Sequence, residues 1–150
     1  MNTKPASPIA TTDVAGDHAR LLSLWEAAGL HIRPRGRDSL EAFRQQQAGG
    51  QQTVLGIETE DGRLVGAVIA THDGRKGWIN RLAVHPDYRR HGIGTELVRV
   101  AEQVLKAQGM AIIAALIEPD NQPSLELFKG AGYVEYPGLH YVSKRESDDT

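Results

Sequence analysis

The apolar positions in the first third of the chain recur at helical spacing. Val14, Leu21, Leu22, Trp25 and Ala28 fall on one face, Thr12 or Asp13 stands where a cap belongs, and Gly29 sits at the stop. The stretch "IRPRGRD" then breaks the period as a loop. Ser39 to Ala48 reads as a second, more polar helix ended by Gly49 and Gly50. From residue 53 the texture becomes that of strands, with three β-like runs separated by the turn pairs Asp61-Gly62 and Asp73-Gly74. After Gly92 the helical period returns. Ile93, Leu97, Val100, Ala101, Val104 and Leu105 make one apolar face, Arg99, Glu102, Gln103 and Lys106 lie opposite, and Gly109 ends the run.

"AIIAALIE" is continuously apolar over the length of a strand, as a buried strand should be. A short helix is predicted from about Pro123 to Lys129, with Gly130 and Gly132 at its end. Two closing strands are predicted over Tyr133–Tyr136 and Leu139–Ser143. Three strands in a meander followed by strand, helix and strand predict an α/β (α+β) domain with a mixed sheet, not a doubly wound parallel one. The expected organisation is a flexible arm over residues 1–8, one domain over 9–143 and a polar tail over 144–150.

Composition narrows this without changing it. The chain has 150 residues and no cysteine, which removes disulfides, cysteine-ligated zinc and cysteine nucleophiles together. The six histidines are scattered without metal-ligand spacing, so no metal is expected. No apolar run has the length of a bilayer span and "MNTKPASPIATTD" lacks a signal-peptide stretch, so a cytoplasmic protein without membrane association is expected. A net charge of −2 argues against nucleic acid as a partner.

The stretch that carries chemistry is "YRRHGIGTEL". A strand ends before Pro86, a polar turn comes next, and a helix starts near Gly92. A helix start presents unpaired N–H groups and the positive end of its dipole, which together attract phosphate. Gly92 and Gly94 would let an anion approach the backbone, and Arg89 and Arg90 add charged donors. Glycine there also serves tight packing. A dinucleotide turn of the G-x-G-x-x-G kind is disfavoured, because position 97 is Leu and a strand meander precedes the turn.

"RRHGIG" matches the (Gln/Arg)-x-x-Gly-x-(Gly/Ala) signature of the GNAT N-acetyltransferase superfamily, with Arg89, Gly92 and Gly94 in the defining places. "INRLAVHPDYR" resembles that family's fourth strand and turn, and "IEPDNQPSLELFKGAGY" resembles its second motif. Together they cover roughly residues 53–143. The N-terminal "LLSLWEAAGLHIRP" resembles a bacterial subfamily with Leu-Trp-Glu and Arg-Pro in the same place. The resemblance implies a mixed, mostly antiparallel sheet of six to seven strands flanked by about four helices. It also implies acetyl-coenzyme A as the donor. The pyrophosphate would sit on the turn at Arg89, Arg90, His91, Gly92, Ile93, Gly94 and Thr95. The pantetheine arm would lie along Leu82, Ala83 and Val84, with Asn121 and Phe128 beside it. A backbone N–H near Leu82 and Ala83 would face the thioester carbonyl.

The catalytic groups implied are less regular. Many relatives place a tyrosine acid seven residues after the second-motif Asn, and here that position is Phe128. Tyr133, with Tyr136 and Tyr141 behind it, is the remaining candidate acid. Glu118 is the candidate for holding water near the amine, since the fourth strand carries no acid. Asn121 either orders the site or caps the short helix. The acceptor pocket implied spans Trp25–Arg37 and Pro137–Tyr141, with Trp25, Arg33, Arg35 and His140 as substrate residues. The cluster Arg33, Arg35 and Arg37 suggests a carboxylate or phosphate on the acceptor.

The expected function is acetyl transfer to a primary amine of a small molecule, amino acid or peptide. The alternative is an acyl-coenzyme A-binding sensor without efficient catalysis. Dimers are frequent in the family, though nothing in the sequence specifies an interface.

Overall fold

The computed structural model describes residues 11–148 and 150. The expected arm over residues 1–8 lies outside these. Among the described residues the chain runs β1 (Thr11–Asp13), α1 (His18–Ala27), α2 (Leu40–Ala48), β2 (Gln52–Glu58), β3 (Leu64–His72), β4 (Gly77–Val84), a 3-10 turn (Pro86–Tyr88), α3 (Ile93–Ala107), β5 (Ile113–Ala114) and α4 (Gln122–Gly130). The strands lie in sequence order. The first four are antiparallel to their neighbours and β5 is parallel to β4.

The sheet separates two apolar layers. On one face α3 places Ile93, Leu97, Val98, Ala101 and Leu105 against Val65, Val68 and Ile79, and each is nearly free of solvent contact. Burying side chains of this size stabilises by about 1.5–3 kcal/mol each. The opposite face packs Leu21, Leu24 and Trp25 of α1 and Phe43 of α2 on Val54, Ala67, Ile69 and Ala83. Ser39 caps α2 by accepting from the Ala42 N–H at 3.1 Å, as its sequence position predicts.

Three expectations need correction. The first helix does not start at a Thr12 or Asp13 cap. Those residues form β1, pairing Thr12 with Gly56 and Asp13 with Leu55, and Val14 enters the core from the sheet side. Asp17 precedes the helix instead. The run "AIIAALIE" is a strand only at Ile113–Ala114 and is half-buried there, because the chain diverges from β4 after that point.

The two closing strands are not formed among the described residues, so the sheet has five strands, not six to seven. Residues 133–143 begin tied to the end of α4, where the Tyr133 N–H donates to the Phe128 carbonyl at 3.0 Å. Lys129 pairs with Glu135 at 2.9 Å, and Pro137-Gly138 interrupts the extended pattern beyond it. Val134, Tyr136, Leu139, Tyr141 and Val142 are exposed. A strand needs a backbone edge to pair with, and β5 offers only two residues. Residues 144–148 are exposed as well.

Candidate functional site

The architecture opens a cleft at one sheet edge. β4 and β5 pair only at Gly77 with Ile113 and Trp78 with Ala114. Beyond Trp78 the β5 side of β4 is unpaired among the described residues; Ala83, paired with Ala67, turns its main-chain groups to β3, so Leu82 and Val84 offer main-chain hydrogen bonds on the open side. Leu82, Val84, Ala115 and Ile117 are partly buried and border this gap. On the other side β4 is irregular. Ala67 pairs with Ala83 but Ile69 pairs with Asn80, so one extra residue bulges out of β4. Arg81 lies at that bulge with φ +54°, a left-handed conformation unusual for a non-glycine residue.

Past the end of β4 the chain turns into α3. Arg90 has φ +67° and Gly92 has φ +74°, and Gly92 is the cap residue with no side-chain cap bond. The first N–H groups of α3 are therefore left for solvent or ligand, unlike those of α2 and α4, which Ser39 and Asn121 cap. Arg89, Arg90, His91, Gly92 and Thr95 are exposed, whereas Ile93 and Gly94 are buried. The acid in the first turn, Glu96, is paired with Arg99 and does not oppose an anion there. His85 caps the 3-10 turn by accepting from the Asp87 N–H, and its other ring nitrogen meets Arg63 at 3.1 Å.

The two glycines of the turn differ. Gly92 holds a left-handed conformation with open space where a Cβ would stand. At Gly94 a Cβ would come within 2.7 Å of Leu127 Cδ1 on α4. The missing side chain at Gly94 thus serves helix packing, one of the two roles its position allowed.

The second-motif residues separate. Asn121 is the cap of α4, its side-chain oxygen accepting from the Ser124 N–H at 3.3 Å. Phe128 is buried in the α3 layer. Tyr133 packs edge-on against Phe128 at 5.0 Å and donates its hydroxyl to Glu102 of α3 at 2.6 Å. Burial, and then that bond, push its pKa well above the ordinary tyrosine value. Its proton is thereby committed away from the cleft. Glu118 is exposed, on the segment that diverges from β4, and its carbonyl accepts from the Asn121 N–H at 3.0 Å. His140 is exposed in the segment after α4.

The structure brings Trp25 together with residues that the sequence did not single out. Arg81 Nη2 donates to both oxygens of Asp38, at 3.0 and 2.8 Å, and Nη1 donates to the His31 carbonyl at 2.6 Å. Its guanidinium lies 4.9 Å from the centre of the Trp25 ring. Asp38 is buried and also accepts from the Arg33 N–H at 2.6 Å. Burial pulls the Arg81 pKa below the ordinary arginine value, and Asp38 partly opposes this. The readable signal was Asn80-Arg81, two adjacent polar residues inside an otherwise apolar strand.

Beside this pair lies a cavity of about 350 Å³ lined by Trp25, Arg37, Phe43, Ile69, Asn80 and Arg81, among others. Arg33 and Arg35 do not line it. A groove of about 450 Å³ along α1, bordered by Arg20, Arg63 and His85, holds none of the residues expected in a site. Among the described residues no group of three or more His, Cys, Asp or Glu is placed to hold a metal, and no helix is long and apolar enough to cross a membrane.

Comparison with known proteins agrees with this fold. The family profile described as Acetyltransferase (GNAT) family matches residues 19–133. An acetyltransferase of Sodalis glossinidius is 26% identical over 133 residues, covering 89% of this chain and 92% of its own. The fold is similar to that of the paiA N-acetyltransferase of Thermoplasma acidophilum, solved in complex with coenzyme A. That likeness has a TM-score of 0.68 at 18% identity, over 82% of this chain and 87% of the other. It is also similar to an aminoglycoside acetyltransferase from an uncultured soil metagenomic sample, solved with trehalose. There the TM-score is 0.73 at 16% identity, over 92% and 95% of the two chains.

Proposed function

The chain belongs to the GNAT acetyltransferase family, whose members use acetyl-coenzyme A, and on that premise we propose that it transfers an acetyl group to a primary amine at the cleft beside β4. The observation that carries this reading is the parting of β4 from β5 after Trp78, in front of a helix whose first N–H groups no side chain caps.

The residues present fit the donor. The N–H groups from Arg90 to Thr95 suit a pyrophosphate, with the solvated Arg89 and Arg90 adding charge. The unpaired edge of β4 at Leu82 and Val84, on either side of Ala83, suits the amides of a pantetheine arm, which would add to the sheet as a strand does. Bound acetyl-coenzyme A supplies the acetyl group as a thioester. The chain supplies position: the bulge at Arg81 fixes where β4 turns its edge toward the cleft, and the cavity beside it holds the amine end of an acceptor close by. No tyrosine on α4 is available as an acid, since Phe128 occupies the place. The amine's proton leaves through water, with the exposed Glu118 the candidate carboxylate to hold that water.

Phe128 also motivates a second reading, an acyl-coenzyme A-binding regulatory module without efficient catalysis. Calorimetry with coenzyme A and a thiol-release assay over a broad panel of amines test both. Binding with turnover supports the transferase, binding without turnover on any amine supports the module, and no binding removes both.

A further inference from the structure

From the cavity beside β4 we infer that the acceptor is an amine carrying a carboxylate, of amino-acid size, with Arg37 as its carboxylate anchor. This rests on the acetyl-transfer reading and names the substrate class of that same site.

The argument starts from charge. The cavity lining holds two arginines, Arg37 and Arg81, and one acid, Asp38. Asp38 is already engaged, since both its oxygens meet Arg81 and one also accepts from the Arg33 N–H. Arg81 and Asp38 therefore neutralise each other, and Arg37 is left as the lining's unbalanced charge. Its Nε stands 3.9 Å from Asp38, beyond hydrogen-bond distance, and finds no hydrogen-bond partner although buried. Arg37 is held in place by its backbone, whose carbonyl accepts from Gln46 of α2 at 2.9 Å. A net charge of one suits a monoanion, whereas a phosphate dianion would leave a negative charge unbalanced in a half-enclosed space.

Trp25 also lines the cavity. Asn80 of β4, also in the lining, donates its amide to Thr71 Oγ1 at 2.9 Å, and its side-chain oxygen remains to receive an amine proton. Phe43, Ile69 and Leu116 supply the apolar part of the lining. About 350 Å³ is at the small end of ligand sites, which suits an amino acid better than an aminoglycoside-sized molecule.

The test uses L-amino acids and their carboxamides as matched acceptors, in thiol-release assays and in thermal shift of the protein without donor. The expected result is kcat/KM at least about tenfold higher for the acids than for the amides. Arg37→Gln should abolish that preference with coenzyme A affinity unchanged, and Arg75→Gln, a change of equal charge at the β3–β4 turn, should keep it. Acids should also raise the melting temperature more than amides do, in wild type and Arg75→Gln but not in Arg37→Gln. Equal handling of acids and amides, or a preference that survives Arg37→Gln, overturns the inference. Loss of coenzyme A binding by the wild-type protein overturns the transfer reading instead, and the thermal shift of acids against amides then still decides the inference by itself.

Discussion

Arg81 on β4 and Asp38 in the loop before α2 are 43 residues apart, yet one guanidinium nitrogen meets both oxygens of the carboxylate. The pair ties the loop between the first two helices to the bulge of β4, and the Trp25 ring covers it. Because the pair is mostly enclosed, removing one member strands the other. Asp38→Ala should destabilise by about 3–5 kcal/mol, and Asp38→Leu combined with Arg81→Met should recover much of that loss. Urea unfolding of the single and double variants measures both. A single-variant loss under about 1 kcal/mol would show that water replaces the partner.

Gly92 carries the backbone that presents the first turn of α3. Its φ of +74° costs any residue with a Cβ about 1–2 kcal/mol, although the space for a Cβ is open. Gly92→Ala should therefore lower stability by about that amount. Gly92→Asp should add a charge penalty at the phosphate position and weaken coenzyme A binding at least about tenfold. Calorimetry and urea unfolding together separate the two contributions, and unchanged affinity in Gly92→Asp would refute the phosphate assignment.

The legibility of each feature in the sequence depends on whether its cause is local. α3 showed its full periodicity because it has 15 residues and one apolar face, and the core it makes is local to that pattern. β1 has three residues, too few for a period to show, and its neighbour Val14 is buried equally well by a helix or a strand. The segment from Tyr133 to Ser143 has apolar residues at strand-like intervals, but forming a strand also requires a partner. β5 leaves β4 after two residues, which no local pattern announces. In the site, the start of a helix at Gly92 was legible, while the different surroundings of Gly92 and Gly94 were not. Only the position of Leu127 assigns Gly94 to packing. The Asp38–Arg81 pair was invisible for the same reason, since it joins two segments far apart in sequence.

Gly94 gives a coupling that can be measured. A Cβ there meets the end of the Leu127 side chain at 2.7 Å, so Gly94→Ala should destabilise by about 1–3 kcal/mol by pushing α4 from α3. In a Leu127→Ala background the same change should cost much less, because the obstructing methyl is gone. A double-mutant cycle by urea unfolding reads the interaction energy directly. Additive losses would show that the strain at Gly94 has another origin.

Tyr133 and Glu102 give a pH dependence whose sign is fixed by the direction of the pKa shift. Burial first, and the bond to Glu102 next, favour the neutral phenol in the folded protein and raise its pKa above the unfolded value. The stability this adds is complete below about pH 10 and is lost as pH rises through that value toward the folded pKa. Tyr133→Phe should cost about 1 kcal/mol at neutral pH, where the hydrogen bond exists. Above about pH 10 the gap between wild type and variant should narrow, because unfolding then lets the wild-type phenol lose its proton. Turnover by Tyr133→Phe should stay within about threefold of wild type, since the hydroxyl points to α3 and not to the cleft. Urea midpoints at pH 8 and pH 11 with a thiol-release assay decide both points. A collapse of kcat with unchanged stability would make Tyr133 the acid that Phe128 cannot be.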